Sequence, residues 1–299
     1  MKKIIIAGGT GYIGNLLANF FIEKGYFIVI ITRGKSNTNG SVKLISWNDN
    51  WQAELESAEA VINLSGKSIN CRFTAQNKAV ILQSRLDATA RINKAILVCT
   101  NPPKVFINAS GASIYKCSFD IAYNEYNEVF GSSFLADVCK QWESEFYNTV
   151  TPNTRKVAIR ITPVLGKESH AIKPLLKVVA LGLGGKQGSG KQYFSWIHEN
   201  DFTNAINFII LNNKINGSVN LTSPNAITNS EFMQVFRKIM RVKIGIPTPT
   251  FLLHISKYIT GIEPDLILDS LNIAPKKLID AGFNFEMDTI NKALQEIVA

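Results

Sequence analysis

Short β-branched runs alternate along the chain with segments whose apolar residues recur at helical spacing. Residues 3–7 form the first run, and residues 15–24 carry Leu16, Leu17, Phe20 and Phe21 on one helical stripe. Residues 27–32 (Phe-Ile-Val-Ile-Ile-Thr) show no polar alternation, the pattern of a parallel strand covered on both faces. Further strands are predicted at 42–47, 60–64, 104–109 and 156–160, with helices at 51–57, 74–98 and 134–147. Such strand–helix alternation predicts a doubly wound α/β fold around a parallel sheet, with right-handed crossovers. The character changes after Arg160. Residues 181–190 are glycine-rich and 193–198 aromatic; a helix at 201–211 and a short strand at 219–221 follow. From Thr228 onward, short helices are separated by Pro247, Pro249, Pro264 and Pro275.

Between the first strand and its helix lies Gly8-Gly9-Thr10-Gly11-Tyr12-Ile13-Gly14. In that context the glycines read as a phosphate loop. Gly8 permits the turn out of the strand, Gly11 admits a pyrophosphate against bare backbone, and Gly14 allows close packing of the helix. The free N–H groups at the helix start then face the anion. An ordinary strand-to-helix turn is the competing reading. The second strand ends Thr32-Arg33-Gly34-Lys35-Ser36, with no acidic residue to accept from a ribose 2′-hydroxyl. Arg33 suits a 2′-phosphate, so NADP(H) is expected over NAD(H); an exposed arginine at a strand end is the alternative. Asn63-Leu64-Ser65-Gly66 places small residues after a strand, where backbone comes close to a flat ligand. The expected architecture is a Rossmann-type domain over 1–165, to which 192–222 return. A smaller, mainly helical substrate lobe is expected from 166–191 and 223–299.

Composition narrows the class. The 299 residues are 46% hydrophobic and 18% charged, which supports a sizeable core and argues against long disordered stretches. A formal charge of +9 admits nucleic acid, an anionic membrane or an anionic cofactor as partner. The basic residues read as scattered, so neither nucleic acid nor membrane is expected. Cys71, Cys99, Cys117 and Cys139 form no C-x-x-C pair and have no histidine at ligand spacing, so neither a metal site nor a disulfide is expected. The apolar run after Lys2-Lys3 ends at Gly8-Gly9, too short for a secretory signal, and no stretch approaches a membrane span. A soluble, cytoplasmic protein is expected.

The glycine loop, Val61–Gly66, Ser84-Arg85, Phe134–Glu143, Gly188–His198, Pro275–Leu278 and Ala281-Gly282-Phe283 together resemble the extended short-chain dehydrogenase/reductases. More narrowly, they resemble an epimerase-like branch with its own C-terminal domain. That resemblance spans nearly the whole chain and implies an NADP(H)-binding protein. Carried over by position, Gly8, Thr10, Gly11, Tyr12, Ile13 and Gly14 hold the pyrophosphate, and Thr32 and Arg33 the 2′-phosphate. Arg85 is a second cation for the phosphates, or else a helix-surface ion pair. Leu64 and Ser65 flank the middle of the cofactor, and Val164 its nicotinamide end. Helix-paired homodimers are common in the superfamily, so a homodimer is one expected assembly.

The same resemblance exposes a departure. The superfamily uses a Tyr with a Lys four residues later, one helical turn away, to lower the tyrosine pKa and move a proton. Aligned on Trp142-Glu143, those positions hold Leu135 and Cys139, and neither Tyr115, Tyr123 nor Tyr126 has Lys at the fourth residue on. Three candidates remain. Ser110 follows the fifth strand and can hydrogen-bond a substrate oxygen, or simply shape a turn. Cys139 is a weak acid or a buried inert thiol. His198 is an acid/base or a satisfied structural histidine. Phe194 and Trp196 wall a substrate or belong to the core. The expected function is an epimerase-like oxidoreductase of a small sugar-like or carbonyl substrate; the alternative is a non-catalytic NADP(H)-binding or redox-sensing protein.

Overall fold

In a computed structural model of the chain, residues 2–260 and 263–299 are described. Gly261 and Ile262, inside the expected second lobe, lie outside these. The strands are β1 (Lys3–Ala7), β2 (Phe27–Thr32), β3 (Asn37–Asn39), β4 (Val42–Ser46), β5 (Ala60–Asn63), β6 (Val105–Gly111), β7 (Arg155–Ile161), β8 (Val164–Leu165), β9 (Tyr193–Phe194), β10 (Ile197–His198), β11 (Gly217–Leu221) and β12 (Ile227–Thr228). The helices are α1 (Tyr12–Glu23), α2 (Ala75–Leu97), α3 (Phe134–Asn148), α4 (Ile172–Ala180), α5 (Glu199–Leu211), α6 (Asn229–Ile239), α7 (Thr250–Thr260), α8 (Asp265–Leu268), α9 (Lys276–Asp280) and α10 (Ile290–Val298).

The expected parallel sheet forms, in the order β11-β7-β6-β5-β1-β2-β4-β3, with only the edge strand β3 antiparallel. Strand β1 shows why its sequence is apolar throughout. Ile4 and Ile6 pack with Leu17 of α1 and Ile206 of α5, whereas Ile5 and Ala7 pack with Ile92 of α2 and Phe146 of α3. Each fully buried isoleucine stabilises the fold by about 1.5–3 kcal/mol. The Asn-Thr-Asn of β3 carries no such signal. It is exposed and hydrogen-bonds an edge, so only pairing with β4 makes it a strand.

One strand and one helix differ from expectation. Strand β6 runs on to Gly111, which places Ser110 inside the sheet. Residues 51–57 form a single 3-10 turn, Gln52–Leu55. Beyond the sheet, β8 pairs with β10 and β9 with β12. A separate core gathers Trp196, Phe232, Phe236, Ile290 and Leu294, with Phe194 packed against it. Phe194 and Trp196 are therefore both core. Asp201 ties α5 to the C-terminal segment by accepting from the N–H groups of Glu286 (2.9 Å) and Met287 (3.0 Å).

Leu294 of α10 is fully buried in that second core, where α10 packs on α6. Leu294→Ala is expected to cost about 2–5 kcal/mol. Urea unfolding followed by circular dichroism measures it, and an unchanged midpoint would show that α10 is not packed as described.

Candidate active site

The C-terminal ends of β1, β2, β5 and β6 converge on the glycine loop. Gly8 has φ +77°, and a Cβ there would lie 2.9 Å from the Cα and N of Ser65. Only a residue without a Cβ lets the loop rest on the end of β5. A Cβ on Gly14 would meet the Gly9 backbone at 2.4 Å, so Gly14 closes the loop on itself rather than on the sheet. Around Gly11 there is open space. Helix α1 starts at this point with Gly11 as its N-cap, no side-chain cap and no acidic residue in its first turn. Its leading N–H groups are therefore unsatisfied and positively polarised. Thr10 and Gly11 are exposed, whereas Tyr12 and Ile13 are half-buried.

Ser65 is held in place from below. Its N–H donates to Asn63 Oδ1 (3.0 Å), while Asn63 Nδ2 donates to Asn108 Oδ1 (2.7 Å) and Thr89 Oγ1 (3.1 Å). Trp142 Nε1 also donates to Thr89 Oγ1 (2.9 Å). The Ser65 hydroxyl is buried and has no hydrogen-bond partner. Such a group costs stability unless something completes it. A cofactor lying across the glycine loop and the turn after β5 fits a site that still has this hydrogen bond to offer.

At the end of β2, Arg33, Gly34, Lys35 and Ser36 line a cavity of about 390 Å³ together with Ser46, Asn48 and Asp49. Thr32 Oγ1 accepts from the Gly34 N–H (3.2 Å). Sequence reading found no carboxylate beside Arg33; the fold brings Asp49 to the same cavity, where it accepts from the Ser36 hydroxyl. Among the described residues, Arg85 forms no ion pair. Its Nη1 donates to the carbonyls of Lys67 (3.0 Å) and Ile81 (2.8 Å), and its guanidinium lies over the Trp142 ring at 5.0 Å. Gly66 sits against it: a Cβ there would come within 3.0 Å of Arg85 Cζ. Burial lowers its pKa. Arg85 is thus an unneutralised, largely buried cation beneath the Ser65-Gly66 turn.

The region of the missing Tyr/Lys pair holds a closed network. Ser110 Oγ donates to Glu143 Oε1 (2.7 Å), and Glu143 receives Arg160 Nε (2.9 Å) and Nη2 (2.8 Å). Arg160 Nη1 reaches Tyr115 Oη (2.9 Å) and Glu128 (2.7 Å), and Tyr115 donates to Asn220 Oδ1 (3.0 Å). Burial pushes the Tyr115 hydroxyl up to about 12. Cys139 Sγ lies against Gly111, whose Cβ would be 3.1 Å away; burial first, then Glu143, pushes its thiol up to about 11. Cys139 is therefore a neutral thiol. His198 uses both ring nitrogens: Nε2 pairs with Glu296 (2.9 Å) and Nδ1 accepts from the Asn200 N–H (3.2 Å) as the N-cap of α5.

One contact was absent from the sequence reading. Tyr12 donates to Glu199 Oε2 (2.5 Å), and a Cβ on Gly166 would collide with both groups. Burial, then Glu199, raises the Tyr12 pKa. Val164 of β8 pairs with Ile197 just before this point, so the β8–β10 pair abuts the glycine loop through Tyr12 and Glu199. The Glu143–Arg160 pair did have a sequence signal: an arginine inside the apolar run Val157–Ile161 requires a buried carboxylate.

The model of the NAD dependent epimerase/dehydratase family matches residues 4–222, and a domain of unknown function (DUF1731) matches residues 248–297. An epimerase family protein of Staphylococcus haemolyticus is 30% identical over 300 residues, covering 100% of this chain and 99% of that one. Among solved structures, the human epimerase family protein SDR39U1 with NADPH superposes with a TM-score of 0.89 at 28% identity, covering 99% of this chain and 98% of that one. A UDP-N-acetylglucosamine 4-epimerase from Methanobrevibacter ruminantium shares the fold, with a TM-score of 0.75 at 17% identity and coverage of 99% and 97%. Among the described residues, no helix is long and apolar enough to cross a membrane.

All four cysteines are free, with Cys117 exposed and Cys139 buried. Because the thiolate is the reactive form, Cys139 becomes reactive only as pH rises towards about 11. Alkylation of the native protein at pH 8, mapped by peptide mass spectrometry, is expected to label Cys117 and spare Cys139. Labelling of Cys139 at a comparable rate would show an open, ionised thiol instead.

Proposed function

The chain belongs to the NAD dependent epimerase/dehydratase family, and from that premise we propose that it is an NADP(H)-binding, epimerase-like oxidoreductase of the cytoplasm. Its substrate is a small sugar-like or carbonyl compound. The observation that carries the reading is the buried, unpartnered Ser65 hydroxyl beside a glycine loop that admits no Cβ at Gly8. The NADPH named with the human relative supports the choice of cofactor.

Gly8, Thr10, Gly11, Tyr12, Ile13 and Gly14 surround the pyrophosphate and offer it the uncapped start of α1. Thr32 and Arg33 take the 2′-phosphate, with Asp49 of the same cavity positioned to compete for the ribose side of that pocket. Leu64 and Ser65 flank the middle of the cofactor, Arg85 supplies a second cation to its phosphates, and Val164 borders the nicotinamide. When bound, the nicotinamide accepts or donates hydride. Ser110 orients a substrate oxygen, and Glu143 fixes the direction of its hydroxyl. Cys139 packs beneath Gly111 as a positioning residue. His198 caps α5 at Glu199 and thereby positions the carboxylate that holds Tyr12. Residues 166–191 and 223–299 form the substrate lobe over residues 1–165 and 192–222. Assembly as a homodimer is part of this reading; binding of nucleic acid is not.

A second reading, NADP(H) binding without turnover, has one observation in its favour. Ser110, Cys139 and Tyr115 are the protic groups nearest the missing pair. All are buried, with Ser110 and Tyr115 committed to partners and Cys139 held as a neutral thiol.

Titration of NADPH and NADH into the purified protein and its Arg33→Ala variant separates these ideas from a drifted loop. Wild type is expected to prefer NADPH, and Arg33→Ala to weaken NADPH by about ten- to a hundredfold with NADH little changed. Preference for NADH, or no binding of either nucleotide, sinks the cofactor reading. With binding established, hydride exchange on any member of a carbonyl and nucleotide-sugar panel excludes the non-catalytic reading, and silence across the panel favours it.

A further inference from the structure

The net charge of the chain is concentrated in two stretches that contain no acidic residue. Residues 169–198 and 232–262 contain nine of the 32 basic residues and none of the 23 acidic ones, so everything else is balanced at 23 of each sign. The whole +9 therefore resides in two segments far apart in sequence. The fold joins them. Ile246 N–H donates to the Gly182 carbonyl (2.9 Å), Gly185 N–H to Ile246 (3.1 Å), Gly188 N–H to Thr248 (2.8 Å) and Thr248 N–H to Lys186 (2.9 Å). Among the described residues, Lys177, Lys186, Lys191, Lys238, Arg241 and Lys243 pair with no carboxylate. Arg241 also occupies a left-handed backbone position (φ 58°), where glycine would relieve the strain.

The same two segments expose large apolar side chains. Leu181, Ile244, Ile246, Phe251, Ile255 and Tyr258 are each more than half exposed. On α7, Phe251, Ile255 and Tyr258 fall at i, i+4 and i+7, one face of the helix, while Leu253 is buried on the inward side. Helix α7 leaves directly from the paired segments at Thr248. Lys257 of this helix pairs with Glu263 and Arg72 lies over the Tyr258 ring, while Phe251 and Ile255 stay uncovered; at 11 residues the helix is too short to span a bilayer.

We propose that this face docks on the surface of a bilayer rich in anionic phospholipid. The charge selects the occupant. A second copy would bring an equally cationic surface against it. Nucleic acid would satisfy the cations but not Leu181, Ile244, Ile246 and Ile255, because base stacking uses aromatic faces. Anionic headgroups satisfy the lysines, and the acyl boundary takes the aliphatic side chains. The substrate lobe thereby meets the membrane without a spanning helix. The fold brings the two basic segments side by side through the backbone pairing of residues 182–188 with 246–248.

The test is co-flotation of the full chain with vesicles of phosphatidylglycerol or of phosphatidylcholine alone, with melting temperature and oligomeric state measured for each variant. Wild type is expected to float with phosphatidylglycerol, to be released by salt, and to ignore phosphatidylcholine. Phe251→Ser/Ile255→Ser is expected to weaken flotation by tenfold or more, as an order of magnitude. Lys238→Gln/Lys243→Gln, exposed changes that leave the core intact, is expected to weaken it by about fivefold per cation. The proposal is overturned if wild type fails to float or partitions equally onto both vesicles. It is also overturned if the protein is a dimer that Phe251→Ser/Ile255→Ser splits, since the face then belongs to a second copy.

Discussion

The cofactor cleft depends on Asn63. Fully buried at the end of β5, it spends Nδ2 on Asn108 of the neighbouring strand and Thr89 of α2, and Oδ1 on the N–H of Ser65. Thr89 in turn receives Trp142 of α3, over whose ring Arg85 lies. One side chain thus couples two strands and two helices and fixes the turn on which Gly8 rests. A buried amide satisfied on both ends is directional in a way that apolar packing is not. It sets where the chain goes after the strand, and the Ser65 hydroxyl is left unpaired as a consequence of where it goes.

The sheet was readable because burial on both faces demands apolar runs without polar alternation, and β1, β2, β5, β6 and β7 each carry at least three consecutive apolar residues. Strand β3 was not, because Asn-Thr-Asn is a strand only through its neighbour. The glycine loop was readable for a steric reason that holds at Gly8; at Gly14 a Cβ is also excluded, but by the Gly9 backbone and not by the sheet. At Arg33 the local stretch was informative but incomplete: Asp49, thirteen residues beyond Ser36, shares its cavity through the β2–β4 pairing. Arg85 was weighed as a surface ion pair or a cofactor cation. Its partners are carbonyls and an indole face, contacts that no pattern of charges along a sequence encodes.

The absent Tyr-x-x-x-Lys pair is compensated structurally before it is compensated chemically. With Cys139 at the lysine position, no ammonium is buried there, and the nearest fixed positive charges are Arg160 and Arg85. Arg160 is neutralised by Glu143 and Glu128, whereas Arg85 is not neutralised at all. The two arginines therefore serve different purposes. Removing Glu143 would strand a charge in the core, a change of about 3–5 kcal/mol, so that pair is part of what keeps β6, β7 and α3 together. Arg85 retains its full charge for whatever anion lies across the Ser65-Gly66 turn.

Separating the charges in this way also explains how a chain of modest charge content keeps two cationic functions apart. The glycine loop offers backbone N–H groups, and Arg85, which forms no ion pair among the described residues, lies largely buried beneath the Ser65-Gly66 turn, where the medium amplifies a charge. The two acid-free segments carry exposed cations, each weak and screened by salt, whose effect comes from number; two of the nine, Lys173 and Lys257, pair with carboxylates just outside them, Glu168 and Glu263. An acidic residue at an exposed position of either acid-free segment, such as that of Lys238 or Lys243, would do little to stability. It would matter to the collective field alone. The one-sided charge of these two segments, set against the balanced remainder of the chain, is therefore a property of their exposed positions rather than of the core.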